Sequence, residues 1–146
     1  MPEVVLLDSG PLGLASHPRP SPEILGWISR LFAAGVEIIV PEIADYEVRR
    51  ELLRAGRPRG IQRLNELKAT LAYLPINTDA MLRAADLWAE TRRRGRPTAS
   101  NESLDADVIL AAQAQGIKGK DIIVASSNPK HLARFVASDR WENINP

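Results

Sequence analysis

The sequence predicts a three-layer α/β/α sandwich built on a mostly parallel central sheet. Short apolar segments alternate along the chain with longer stretches whose apolar residues recur at helical spacing. Strands that alternate with helices form parallel βαβ units, because the chain must cross the sheet before the next parallel strand begins. The length of 146 residues, with 45% apolar and 25% charged, suits a single domain spanning residues 1–146.

Strands are predicted from continuous apolar runs, and helices from their caps and periodicity. The run Val4–Leu7 stops at the turn-forming residues Ser9–Pro11, as a strand buried on both faces does. The clearest helix has Ser21 as its N-cap and Pro22 at its first position, and it ends at Gly35. The remaining predictions are the strand Val36–Val40, a helix from Pro41 to about Gly56, the helix Gly60–Leu71, an edge segment Tyr73–Ile76, the helix Thr78–Arg94, a loop Gly95–Ser103, the helix Asp105–Gln115, the strand Ile122–Ala125, a short helix Pro129–Val136 and a last strand Trp141–Ile144.

Two of these strands are expected at or near the centre of the sheet. Val4–Leu7 and Ile122–Ala125 are apolar at consecutive positions, which is the pattern of a strand covered on both faces. Any polar side chain that directly follows such a central strand then lies at the carboxyl edge of the sheet, where α/β proteins place their functional crevice.

The composition excludes several kinds of site. The chain has no Cys, which removes disulfides, thiolate catalysis and Cys-ligated metals, and two His cannot form a three-His zinc site. No apolar run reaches the length of a membrane span, and Glu3 stands where a signal peptide needs a positive charge. We therefore expect a cytoplasmic protein without a membrane partner.

Acidic and amide side chains are predicted to gather at the carboxyl ends of the strands. Asp8 directly follows the first strand and Asn128 follows the strand Ile122–Ala125 closely. Like charges gathered in one crevice repel one another unless a cation relieves them. Because Cys and His clusters are absent, oxygen ligands favour Mg²⁺ or Mn²⁺. The acids on helices that can lean over the same edge are Glu42, Glu47, Glu51, Asp105 and Asp107.

The spacing of these acids along their helices excludes only some of the possible arrangements. Asp105 and Asp107 lie about 200° apart on a helix, so they cannot share a face, and Asp105 is a candidate N-cap with Asp107 in the first turn. Glu47 and Glu51 do share a face, and each has an Arg three residues later that offers an ion pair on a solvated helix. Spacing alone does not choose between these two glutamates.

Four segments carry a family resemblance, and they follow one another in the expected order across nearly the whole chain. They are Leu6–Ser9, Val40–Glu51, Leu104–Ala114 and Val124–Leu132. Together they resemble the four motif blocks of the PIN domain, the family that contains the VapC-type toxins of bacterial toxin–antitoxin modules. The resemblance implies a ribonuclease that uses Mg²⁺ or Mn²⁺ to hydrolyse RNA phosphodiester bonds, with an antitoxin protein and a homodimer as further expectations.

The resemblance also implies roles for individual residues. Asp8, Glu47 and Asp107 match the metal-holding acids of the family, and Asp105 is an additional acid beside them. Asn128 stands where the family often has Asp, and since an amide brings no charge, the number of metal ions stays open. The supporting polar residues of the first and fourth blocks are Ser9, Ser126 and Asn128.

Arginine supplies the expected contacts to the RNA backbone. Only four of the 19 basic residues are Lys, and Arg binds phosphate bidentately, although a GC-rich genome gives the same bias. One Arg-rich segment follows Glu47 and a second precedes Asp105. In the second segment, arginines that complement a helix C-terminus are an equally good explanation. The residues predicted to bind RNA are Arg49, Arg50, Arg54, Arg57, Arg94 and Arg96.

Other readings of the sequence remain open. A phosphoacceptor receiver domain also has an acid after its first strand, but it requires paired acids there and a second Asp at a central strand end, which this chain lacks. A PIN-like module that binds RNA or a partner without cutting it, and a housekeeping PIN nuclease, both fit. The homodimer draws support from Leu74, Leu82 and Leu87, which one small core would leave exposed.

Overall fold

The computed structural model describes residues 1–95 and 101–146, with the backbone alone for residues 101–103. Within these residues five strands form one sheet in which every neighbouring pair is parallel. The strands are β1 (Val4–Leu7), β2 (Glu37–Pro41), β3 (Ala72–Leu74), β4 (Ile122–Ser126) and β5 (Ser138–Arg140). Their spatial order is β3-β2-β1-β4-β5, so β1 is central and β4 is its inner neighbour, as the apolar runs predict.

The sheet is covered by helices on both faces, which confirms the predicted α/β/α sandwich. Val5 and Leu7 of β1 pack into a cluster with Leu12, Trp27 and Leu64, whereas the alternate side chains of the strand join the opposite cluster. Helices α1, α2 and α4 belong to the first side and α6 to the second, with α5 packed outside it. The helices are α1 (Ser9–Ser16), α2 (Pro22–Ala33), α3 (Glu42–Arg54), α4 (Pro58–Thr70), α5 (Thr78–Arg93) and α6 (Asn101–Gln115).

Helix α1 was not predicted, because its sequence Ser9-Gly10-Pro11 resembles a turn. Asp8 serves as its N-cap and accepts a hydrogen bond from the Ser9 backbone N–H. Pro11 is tolerated in the first turn, where the backbone N–H would have no helical partner, and it is buried. The tertiary packing of a short helix therefore overrides its weak local signal.

The sequence prediction also misplaced three boundaries. Helix α6 begins at Asn101, so Asp105 lies inside the helix and is not its N-cap. The last strand is β5 at Ser138–Arg140, and the segment Trp141–Asn143 that was predicted to be a strand is a 3-10 turn. A 3-10 turn at Leu132–Arg134 replaces the short helix expected after β4.

The C-terminal segment closes the α2 side of the sandwich. The indole N–H of buried Trp27 donates to the carbonyl oxygen of Ile144 at 2.8 Å, and its ring centroid lies 5.5 Å from that of Trp141. This contact ties a helix near the start of the chain to its last residues. No helix in the described ranges is long and apolar enough to cross a membrane.

Candidate active site

Asp8 anchors the site at the carboxyl end of the central strand. One carboxylate oxygen accepts from the Ser9 backbone N–H at 2.7 Å, and the other accepts from the Ser126 hydroxyl at 2.8 Å. The Ser126 oxygen in turn accepts from the backbone N–H of Asn128 at 3.0 Å. Burial raises the pKa of Asp8, and the hydrogen bonds from Ser126 and Ser9 partly oppose that rise. Both oxygens of Asp8 are thus held in a fixed direction.

Glu47 reaches the same crevice from α3. Burial raises the pKa of Glu47 to about 7, and the charge of Asp8 adds to the rise, while Arg50 partly opposes it. Arg50 Nη2 lies 4.0 Å from Glu47 Oε2. The Asp107 carboxylate raises the pKa of Glu47 further, so the negative charges of both Asp8 and Asp107 act on Glu47.

Asp107 completes the cluster from the second turn of α6. Burial raises the pKa of Asp107 to about 6, the charge of Asp8 raises it further, and Arg134 lowers it. Leu104, Val108 and Ala111 are buried on the packed side of the helix and fix its position. We call Asp8, Glu47 and Asp107 the acid cluster, because they come from three separate elements and the charge of Asp8 raises the pKa of both other acids.

The donor set of the acid cluster fits a hard divalent cation. Three partly buried carboxylates repel one another, and the guanidinium groups of Arg50 and Arg134 offset this only in part, because the pKa values of the acids stay raised. Oxygen ligands of this kind suit Mg²⁺ or Mn²⁺. Among the described side chains no three acids or histidines already enclose an ion position, so an ion would be held only after side-chain adjustment.

Two other predicted acids lie elsewhere. Asp105 is exposed and lines a cavity of about 400 Å³ between α5 and α6, together with Met81 and Trp88. Glu51 is exposed and pairs with Arg54 at 2.8 Å. The charge of Asp8 raises the pKa of Glu47, whereas the Glu51 carboxylate is exposed and paired with Arg54, so we keep Glu47 as the candidate site acid.

Glu42 has a structural role. Its carboxylate accepts from the Tyr73 hydroxyl at 3.1 Å and from the Ile76 backbone N–H at 2.7 Å. These bonds tie the start of α3 to β3 and to the segment that follows it. Glu42 therefore stabilises the packing of α3 against β3 and the segment after it.

The predicted RNA-binding arginines occupy three different settings. Arg49 is held by Asp45 at 2.9 Å and by Asn65 at 2.9 Å, so its guanidinium joins α3 to α4. Arg94 borders a cavity of about 420 Å³ together with Arg134. Arg96 lies outside the described residues. The others, Arg50, Arg54 and Arg57, line one large groove.

That groove, which we call the α1–α3 groove, runs between α1 with the segment after it and α3 with the segment after it. It encloses about 730 Å³ and has Ser9 and Glu47 of the site in its wall. His17 and Arg19 line it opposite the α3 arginines, and sequence reasoning missed both because α1 was not predicted. Arg134 was missed as well, although it follows the Ser126–Asn128 block closely in sequence.

The architecture and the acid cluster define an α/β protein whose site lies at the carboxyl edge of a parallel sheet. The family model of the PIN domain matches residues 6–135. The chain therefore belongs to the PIN domain family, whose members are in general nucleases. No curated protein matches the chain.

Three solved structures share this fold at low sequence identity. VapBC2 from Rickettsia felis, bound to a DNA fragment from their promoter, has a TM-score of 0.73 at 14% identity and covers 94% of this chain and 98% of that chain. FitAcB from Neisseria gonorrhoeae has a TM-score of 0.69 at 19% identity, with 96% and 99% covered. DNA-bound VapBC from Salmonella typhimurium has a TM-score of 0.67 at 17% identity, with 94% and 97% covered.

Proposed function

We propose that this protein is an endoribonuclease that requires Mg²⁺ or Mn²⁺ and holds the ion with Asp8, Glu47 and Asp107. The observation that carries the proposal is the electrostatic coupling of three carboxylates from separate elements, each with a raised pKa. Acids whose pKa values are raised by burial and by one another's charge are typical of functional sites. Membership of the PIN domain family supports the same conclusion.

Residues around the acid cluster orient the Asp8 carboxylate and supply a positive charge beside Glu47. Ser9 and Ser126 fix the direction of Asp8 through two hydrogen bonds, and Asn128 supports Ser126. Arg50 lies beside Glu47 and is exposed, which suits contact with a substrate phosphate. The chemistry that a divalent ion supplies when bound is activation of water for attack on the phosphodiester and neutralisation of phosphate charge.

The test is cleavage of a panel of RNAs with Mg²⁺, with Mn²⁺ and with a chelator. We expect cleavage only with the metals, and we expect Asp8→Asn to lower the rate roughly a hundredfold or more, because a ligand charge is lost. Asp86→Asn, which changes an exposed acid on α5, is the matched control and should cleave normally. RNA binding without metal-dependent cleavage would assign the chain to the non-cleaving binding modules.

We propose further that the enzyme is the toxin of a toxin–antitoxin pair, acts on RNA in the cytoplasm, forms a homodimer and is restrained by a separate antitoxin protein. The VapBC structures that share its fold support this proposal. Expression of the chain alone should arrest bacterial growth, and Asp8→Asn should abolish the arrest. Harmless expression of an active enzyme would instead indicate a housekeeping nuclease.

A further inference from the structure

Two acids of the acid cluster are carried by helices that are distant in the chain. Glu47 lies on α3 and Asp107 on α6, and α4, β3 and α5 come between these helices. Mg²⁺ requires oxygens at about 2.0–2.1 Å in near-ideal octahedral geometry, so a small displacement of either helix would remove a ligand. The contacts that fix α6 against α3 therefore also determine whether the two acids can bind one ion.

Gln113 provides a polar link between these helices. It lies on α6, six residues after Asp107, and its side chain is buried. Its Oε1 accepts from the Ile43 backbone N–H of α3 at 3.4 Å, and its Nε2 donates to the Leu74 carbonyl oxygen at 2.9 Å. Within the described part of the chain no other hydrogen bond or ion pair joins α3 to α6. One buried amide thus connects α6 to α3 and to the end of β3.

Helix α3 has no N-terminal cap from its own segment. It follows Pro41, whose side chain has no acceptor, and no side chain at that position bonds the first N–H groups of the helix. The Ile43 N–H belongs to this first turn, and Ile43 is buried in an apolar cluster. A buried N–H without an acceptor would destabilise the fold, and the Gln113 oxygen supplies that acceptor. The cap of α3 therefore comes from α6.

The bond to Leu74 fixes the direction of the Gln113 side chain. Leu74 ends β3, and the segment after it is tied to the start of α3 by the bond from the Ile76 backbone N–H to Glu42 at 2.7 Å. Both partners of the Gln113 amide are thus anchored to the same end of α3. Apolar packing between α3 and α6 is non-directional, so it resists separation of the helices more than sliding. The hydrogen bonds of Gln113 select one relative position.

We infer that Gln113 is a positioning residue of the proposed metal site, and that it holds α6 and α3 at the spacing at which Asp107 and Glu47 bind one ion. Its amide is engaged by two backbone groups about 9 Å along the helix from Asp107, so it acts through the helices and not by contact with the ion. This inference rests on the proposed function, because that function supplies the ion.

The first test measures Mn²⁺ binding by isothermal titration calorimetry in the absence of RNA. Gln113→Met keeps a side chain of similar volume and removes both hydrogen bonds. We expect it to weaken Mn²⁺ binding roughly tenfold, because changes to residues that orient metal ligands usually cost about 10–100-fold in affinity. Circular dichroism and urea denaturation establish that the variant is folded under these conditions. Wild-type affinity in folded Gln113→Met overturns the inference.

Gln115→Met is the matched control on the same helix. Gln115 also makes two side-chain hydrogen bonds, since its Oε1 accepts from Arg83 Nε at 2.8 Å and its Nε2 donates to the Phe135 carbonyl oxygen at 3.0 Å. Neither bond reaches α3. We expect Gln115→Met to bind Mn²⁺ as the wild type does, even where it lowers the free energy of unfolding. Equal losses of Mn²⁺ affinity in the two methionine variants would show a general effect of stability and overturn the inference.

A milder variant covers the case in which Gln113→Met does not fold. Gln113→Asn keeps an amide but is one carbon shorter, so its oxygen withdraws from the Ile43 N–H, which already lies 3.4 Å from the glutamine oxygen. We expect Gln113→Asn to weaken Mn²⁺ binding severalfold. Wild-type affinity in this variant likewise overturns the inference.

The second test measures the spacing of the helices without any metal. The chain has no cysteine, so Leu53→Cys on α3 and Asp105→Cys on α6, both at exposed positions, carry one spin label each. Labelled protein is diluted with unlabelled protein, and pulsed electron paramagnetic resonance then gives distances within one chain. We expect Gln113→Met to broaden or shift the distance distribution and Gln115→Met to leave it unchanged. Identical distributions in all three proteins overturn the inference.

The two tests separate this inference from the proposed function. A wild-type protein that binds no Mn²⁺ would refute the proposed ribonuclease, and a distance distribution changed by Gln113→Met would still retain Gln113 as the link between the helices. Metal-dependent RNA cleavage by the wild type, combined with wild-type Mn²⁺ affinity in the Gln113 variants, would retain the ribonuclease and refute the role of Gln113.

Discussion

Glu47 shows how the site makes the stability of the protein depend on pH. In the folded, metal-free protein the pKa of Glu47 is about 7, whereas its ordinary value is 4.5, because burial and the charge of Asp8 disfavour the ionised form. Between these two pH values the folded state binds more protons than the unfolded state. The contribution of Glu47 to stability is therefore fully present below about pH 4.5 and is lost as the pH rises through about 7.

The prediction concerns metal-free protein in a chelator. Urea midpoints of the wild type should fall between pH 5 and pH 8 by more than those of Glu47→Gln, because the amide of glutamine does not titrate. Asp107, whose pKa rises to about 6, adds to the fall in both proteins. Mg²⁺ at pH 8 should raise the wild-type midpoint. Parallel pH profiles for the two proteins would contradict this account.

Asp105 and Asp107 provide a second test at the residue scale. Asp107 belongs to the acid cluster, whereas Asp105 is exposed beside Met81 and Trp88 on another face of α6. We expect Asp107→Asn to lower RNA cleavage by at least about tenfold and to weaken metal binding, and Asp105→Asn to do far less. Cleavage rates at several metal concentrations measure both effects. Equal losses of cleavage activity in the two variants would indicate that Asp105 also binds the metal.

The chemistry of the site could be predicted at this scale better than its geometry. The resemblance to the PIN domain selected Asp8, Glu47 and Asp107, which the structure couples electrostatically. Spacing alone failed to separate Glu47 from Glu51, because two residues one turn apart share a face until the position of the sheet is known. The partners of Arg49 were equally hard to predict, because Asn65 lies on a different helix from Arg49.

At the scale of elements, α1 depends on one close approach. Gly10 lies so near the turn after β4 that an added Cβ would fall within 2.8 Å of Ser127 Cβ. Gly13, three residues later in α1, has Val48 Cγ2 at 4.0 Å as its only close neighbour within the described residues. The two glycines therefore have different reasons to be glycine.

We predict opposite effects when each glycine is replaced. Gly10→Ala should lower the free energy of unfolding by about 1–3 kcal/mol, because the helix must move away from the turn that carries Ser127. Gly13→Ala should raise it by about 0.4–1 kcal/mol, because alanine restricts the unfolded chain and fits the space. Urea denaturation measures both. A stabilising Gly10→Ala would show that α1 does not sit tightly against β4.

The elements themselves were predictable where their residues repeat a clear pattern. The strands β1 and β4 follow from apolar runs and α2 from its cap at Ser21, whose hydroxyl accepts from the Ile24 backbone N–H. Helix α1 and strand β5 were not found, because a Gly- and Pro-containing helix and the polar strand Ser138–Arg140 depend on what they pack against. Tertiary contacts of this kind cannot be predicted from the local sequence.

At the scale of the whole molecule, three large apolar side chains of α5 are exposed. Met81 is 46% exposed, Leu82 63% and Trp88 37%. The sequence predicted that three leucines would be exposed at a dimer interface. Leu82 is exposed, whereas Leu87 is buried and Leu74 is half-buried. The surface thus supports the proposed homodimer through a partly different set of side chains.

We predict that a charge placed among the exposed apolar side chains of α5 prevents dimer formation. Light scattering should give the mass of a dimer for the wild type and of a monomer for Met81→Asp, because a buried charge without a partner opposes association. Phe32→Asp changes a side chain that is 68% exposed on α2, in the other helical layer, and should leave the mass unchanged. A monomeric wild type at tens of micromolar would contradict the homodimer.

The central position of β1 also governs when the site can exist during synthesis. Asp8 is held by Ser126, which follows it by 118 positions, and β4 is the inner neighbour of β1. At a translation rate of about 5–20 residues per second, that interval lasts roughly 6–24 s. Both sides of the first strand are unpaired until β2 is made, and one side then stays unpaired until β4 is made, which invites chaperone binding or aggregation. A ribosome that stalls before the codons of β4 therefore yields a chain in which Asp8 lacks its Ser126 partner, and we expect the proposed nuclease to stay inactive until β4 pairs with β1.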